Sequence, residues 1–154
     1  MGGLEIRVFD LTGGSCSTAE LNLVGLHFKG VRLIDSGFGY SCATVSAAGG
    51  GSGNSPSTSS PHAVTGDGRF VAFSSSATNL VTPATAGNQV FVRDTCKSSS
   101  GSVSGCTPIT VLVSVNGTGP TGGFNAAISD DGHSVAYETT LAGVSQILLA
   151  ATGF

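Results

Sequence analysis

The side chains with chemical potential are few: four cysteines, three histidines and a pair of Asp-Gly dipeptides. Cys16, Cys42, Cys96 and Cys106 form no C-x-x-C pair and have no histidine at zinc-ligand spacing, so metal coordination is not indicated. Disulfide chemistry is. In VRDTCKSSSGSVSGCTPITVLV, Cys96 and Cys106 flank a Ser/Gly loop between two strand-like runs, where a hairpin brings their Cα atoms within bonding range. Cys16 with Cys42 is then the remaining pair. His27, His62 and His133 stand in strand or turn contexts, with neither a G-x-S-x-G elbow nor an H-E-x-x-H helix around them. The serine of DSGFG, at Asp35 to Gly39, has no assignable His and Asp partners. No catalytic, metal or cofactor constellation follows, and the expectation is a non-enzymatic protein without cofactors. Asp67-Gly68 and Asp131-Gly132 are read first as turns, because the type I′ hairpin turn needs positive φ at both central positions and Asp-Gly tolerates that. Asn116 heads an N-G-T acceptor pattern for glycosylation after the run TVLVSV.

The composition around these residues is unusual. The chain has 154 residues, enough for one domain with a real core, yet only 10 % are charged and 24 are glycine. Ser and Thr make up about a quarter of the chain, so hydroxyls and amides replace the usual Lys and Glu in keeping the surface wet. Together with paired cysteines, this points to an oxidising, extracellular setting. Glycans on Asn116 or on the hydroxyl-rich GSGNSPSTSSP would compensate for the missing charge. A net charge of −3 with six scattered Lys and Arg residues provides neither a phosphate-binding stripe nor a polybasic membrane patch, so no nucleic-acid partner is expected. No apolar run is long enough for a membrane span, and MGGLEIRVFD lacks a basic-then-apolar leader pattern, so a leader is expected to lie outside this sequence.

The elements that must position these residues are strands. LEIRVFDLT and AELNLVGLHFKGVRLID alternate apolar and polar positions, as half-buried strands do, and GRFVAFSSS, NQVFVRDT, ITVLVSV, HSVAYETT and SQILLAATGF follow as five more strand candidates of period two. Between them SAAGGGSGNSPSTSSP is turn-rich and low in complexity. Three segments result: a β segment over 1–48, a Gly/Ser/Pro-rich loop or linker over 49–61, and a repetitive region over 62–154. Val71, Phe73, Val90, Val92, Leu112, Ile128, Val135, Tyr137, Ile147 and Leu149 are expected to be mostly buried. The repetition has a period of 64: Asp67, Gly68, Val71, Ala72 and Phe73 correspond to Asp131, Gly132, Val135, Ala136 and Tyr137.

The series PHAVTGDGRFVAFSSSATNLV, NQVFVRDTC, GCTPITVLVSV, NAAISDDGHSVAYETT and SQILLAATGF resembles the repeats of secreted bacterial TolB-like, WD-type β-propeller proteins, over about Cys42 to Phe154. The second copy departs from that pattern in reading YETT where the repeat has FSS, and the region before Cys42 matches poorly. The resemblance implies an all-β fold of antiparallel, propeller-blade-like sheets, about two to three blades, with a β-sandwich as the alternative. Three blades do not close a normal ring, and an uncapped stack exposes apolar faces and unpaired strand edges. The expected function is therefore an extracellular structural subunit whose partners are copies of itself, assembling through open β edges into an oligomer or filament. The alternative is a monomeric binding or scaffold module, or a piece of a larger propeller.

Overall fold

The computed structural model describes residues 43–48, 51–117 and 119–154. Residues 1–42 lie outside the described residues, and with them Cys16, Cys42, His27 and DSGFG. Among the described residues every regular element is a strand.

The first sheet is antiparallel and contains β1 (Ser57–Thr58), β2 (Phe70–Ser75), β3 (Gln89–Asp94) and β6 (Ile109–Leu112), neighbouring one another in that order. Between β3 and β6 lies a small hairpin of β4 (Lys97–Ser98) and β5 (Gly101–Ser102). A second small hairpin, β7 (Val115–Asn116) with β8 (Gly119–Pro120), follows β6. The second sheet contains β9 (Phe124–Ile128), β10 (Ser134–Leu141) and β11 (Val144–Ala151), with β10 in the middle. The turn between β10 and β11 is two residues, Ala142 and Gly143, both at positive φ, so the strands stay in register over all eight pairs.

Alternation in β2 explains the layering. Phe70 and Ala72 point to one face and Val71 and Phe73 to the other, and a strand apolar on both faces needs cover on both. On the Phe70 side the cover is the second sheet: Phe70, Ala72, Val90 and Val92 pack with Ala126, Ile128, Val135 and Tyr137. On the other side Phe73 and Phe91 stack with ring centroids 5.6 Å apart, under Ala77 and Leu80 from the connection that follows β2. The connection between β1 and β2 is also tied to β9, where the Ile128 amide donates to the His62 carbonyl at 2.9 Å and the Ser60 hydroxyl donates to the Ala126 carbonyl.

Part of the Gly/Ser/Pro-rich stretch belongs to the first sheet. Ser57 and Thr58 pair with Ser75 and Ser74, and Asn54 exchanges hydrogen bonds with Thr78. These contacts use hydroxyl and amide groups rather than apolar side chains, so the segment orders without any hydrophobic pattern. One expectation of burial fails. Ile147 is 71 % and Leu149 76 % exposed, because they point away from the first sheet, on the face of β11 opposite Leu148 and Ala150.

Candidate functional site

The 64-residue repeat is a repeat of loop construction. In the first loop the Gly68 amide donates to the Thr65 carbonyl at 2.8 Å, the Thr65 amide donates to the Phe70 carbonyl at 3.1 Å, and Gly68 takes φ +79°. In the second the Gly132 amide donates to the Ser129 carbonyl at 2.9 Å, the Ser129 amide donates to the Ser134 carbonyl at 2.9 Å, and Gly132 takes φ +76°. Each aspartate accepts twice through one oxygen. Asp67 Oδ1 takes the Thr65 hydroxyl at 2.7 Å and the Arg69 amide at 3.0 Å, and Asp131 Oδ1 takes the Ser129 hydroxyl and, at 2.9 Å, the His133 amide. The hydroxyl bond and then the backbone bond hold both carboxyls below the usual range. The turns therefore differ from a two-residue type I′ turn: only the glycine adopts positive φ, and the loop is longer because the Asp side chain closes it.

The first loop also carries an ion pair that pattern reading did not single out. Arg69 donates to both oxygens of Asp94, Nε to Oδ1 at 3.0 Å and Nη2 to Oδ2 at 2.8 Å. The Cys96 amide donates to Asp94 Oδ1 at 2.8 Å, and the Arg69 guanidinium lies 4.7 Å from the Phe70 ring centroid. Burial pushes the Asp94 carboxyl up, but the Arg69 bonds, the Cys96 amide and the nearby guanidinium charges outweigh it, so the carboxyl is held below its usual range. Cys96 and Cys106 are disulfide-bonded with Cα atoms 5.5 Å apart, closing the β4–β5 hairpin, which is fastened to the first loop by the Ser99 amide on the Asp67 carbonyl at 2.7 Å. Asp94, Cys96 and Cys106 bring three ligand-type atoms within 4.8 Å of one another. The two sulfurs are bonded to each other and the carboxylate is occupied by Arg69, so this cluster acts as a clamp between loop, strand and hairpin.

Among the described residues, the side chains of the remaining candidates do not hydrogen-bond to this clamp. His62 and His133 are both exposed and take part through their backbone, His62 at positive φ. Asn116 lies on the exposed β7–β8 hairpin. A groove of about 420 Å³ runs between the connection after β2 and β6, bounded by Val81, Pro83, Val111, Leu112, Val115 and Pro120. Among the described residues its walls carry hydroxyls and aliphatic groups and no ionisable side chain, so these walls can seat an apolar group.

The feature best suited to recognition is the second sheet's open side. β11 lies at the sheet edge, with β10 on one flank and no strand on the other among the described residues. Its outward face brings Ile147 and Leu149 beside Glu138 and Ala136, their cross-strand partners on β10. The Glu138 carboxylate is engaged, accepting from Asn125 Nδ2 at 3.0 Å and from the Ser145 hydroxyl at 3.0 Å. Compared with known proteins, the chain matches no family model, and no curated protein and no solved structure is significantly similar to it.

Proposed function

We propose that this chain is a non-catalytic, extracellular structural subunit that assembles with copies of itself through open β edges, its two sheets being successive propeller-type blades of the TolB-like kind. The observation that carries this reading is β11: an eight-residue strand with no strand on its outer flank among the described residues, and with Ile147 and Leu149 exposed on its outer face. Such an edge templates strand addition unless a charge, a proline, a bulge or a covering loop blunts it, and VSQILLAA contains neither charge nor proline. The blade reading is supported by the four-strand meander of the first sheet and by the loop repeated at a spacing of 64. An extracellular setting is supported by the Cys96–Cys106 disulfide and by a chain only 10 % charged.

Light scattering after gel filtration, with negative-stain imaging of the same fractions, tests the proposal. Assembly predicts a mass that rises with concentration and particles larger than one chain. A constant single-chain mass at every concentration refutes it and moves the assignment to a monomeric binding or scaffold module.

A further inference from the structure

Accepting the self-assembly reading, the backbone geometry of β11 specifies the contact. The Thr152 amide donates to the His133 carbonyl at 3.0 Å, in continuation of the β10–β11 register, and in an antiparallel ladder bonded and non-bonded pairs alternate. Val144, Gln146, Leu148 and Ala150 therefore turn their amides and carbonyls toward β10. Ser145, Ile147, Leu149 and Ala151 turn theirs outward, to the flank where no strand is found among the described residues. In the first sheet the third strand of the meander, β3, has β6 on that flank, so the vacant position on β11 is strand-shaped.

We infer that this position is filled by β11 of a second copy, running antiparallel about a twofold axis beside Leu148, so that Ile147 of each copy lies opposite Leu149 of the other. Three features favour a copy of the same strand over a foreign one. The outward residues are symmetric about Leu148, so one register consumes every outward amide and carbonyl of both strands: Ser145 meets Ala151, and Ile147 meets Leu149. β11 has no charged residue, so two copies approach without repulsion at the axis. The nearest acid on that face, Glu138, is already bonded by Asn125 and Ser145. The product is one continuous sheet, β9-β10-β11 joined to β11-β10-β9 of the partner. Because the contact is isologous it closes as a dimer, and a filament needs a further interface. One eight-residue edge strand per copy makes a small contact compared with the interfaces of stable complexes, so the dimer is concentration-dependent.

Sedimentation of the full chain across a wide concentration series tests this. Leu149→Pro removes an outward amide and leaves the β10 ladder intact, as prolines on natural edge strands do. Wild type should dimerise, and L149P should remain monomeric with native circular dichroism. As a second measurement that is independent of how well the proline is tolerated, Ile147→Lys and Leu149→Glu are prepared separately and mixed. The introduced lysine and glutamate face each other only in the stated register, so the mixture should associate severalfold more tightly than either variant alone. If wild type associates while L149P associates equally and mixing gives no gain, the β11 contact is wrong and self-assembly through another surface stands. If wild type is monomeric throughout, both fall.

Discussion

Gly68 and Gly132 hold equivalent places in the two repeated loops, at φ +79° and +76°, and replacing each by alanine separates backbone strain from packing. An L-residue in the left-handed region costs about 1–2 kcal/mol, and that cost falls on both sites alike. The surroundings differ. A Cβ on Gly68 meets nothing within 4 Å, whereas one on Gly132 is driven into the Phe70 ring, 2.8 Å from Cε2. That ring cannot easily withdraw, since Phe154 packs against it at 5.0 Å between centroids and the Arg69 guanidinium lies 4.7 Å from its centroid. Overpacking of this kind adds about 1–3 kcal/mol, so Gly132→Ala should cost about 2–5 kcal/mol in total. For a chain of 154 residues, each kcal/mol lowers the melting temperature by about 2–4 °C, so thermal and urea unfolding should separate the two variants clearly. Phe70→Leu in the Gly132→Ala background should recover part of the difference, as a double-mutant cycle detects for groups in contact. Equal losses in the two alanine variants would refute the seating of Phe70 on Gly132, and with it the stacking of the two sheets.

The Cys96–Cys106 bridge spans ten residues of sequence, and replacing both cysteines by alanine should cost about 2–3 kcal/mol in urea unfolding; an unchanged midpoint would show that the bridge does not constrain the unfolded chain. Acid should destabilise the chain through Asp94: its carboxyl is depressed in the fold, so its contribution is complete above the ordinary carboxylate value of about 4 and is lost as pH falls through the depressed value. Asp67 and Asp131 act in the same direction, and Asp94→Asn should flatten the acid limb of a stability–pH profile, the opposing outcome being a limb that coincides with wild type.

The parts of this structure that sequence displays are those fixed by near neighbours. Alternation marks β10, short apolar runs mark β2 and β3, and the Asp-Gly pairs mark both loops, because a strand face and a turn depend on residues a few positions apart. Ile147 and Leu149 show the limit of such patterns. Alternation assigns them to one face of β11 but does not say whether anything covers that face, which depends on how the sheets stack. The Arg69–Asp94 pair spans 25 positions and appears only once the register sets Phe70 opposite Asp94. Likewise Ser57 and Asn54 look like linker residues until Ser75 and Thr78 bring partners from the far side of a loop. Both Asp-Gly pairs do form turns, and they depart from type I′ for a local reason: Asp67 and Asp131 accept hydrogen bonds from their own loops, which keeps the aspartate out of the left-handed region that a two-residue turn would require.

The repeat also bears on why one face has no cover among the described residues. At a spacing of 64, Val71 and Phe73 correspond to Val135 and Tyr137, while Phe70 and Ala72 correspond to Ser134 and Ala136. The sheets stack with the Phe70 and Ala72 face of the first against the Val135 and Tyr137 face of the second, so two unlike faces of equivalent strands meet. In the first sheet the Val71 and Phe73 face has its own cover in Ala77 and Leu80, and both faces are satisfied. In the second sheet the face equivalent to the one bearing Phe70 has no cover among the described residues, and it carries Ala136, Ile147 and Leu149. Ala136, Ile147 and Leu149 make an apolar strip bordered by Glu138, and joining two β11 edges about Leu148 would set the Ile147 and Leu149 of both copies side by side. Edge pairing thus enlarges the bare face instead of hiding it, and that face is where growth beyond a dimer would have to occur.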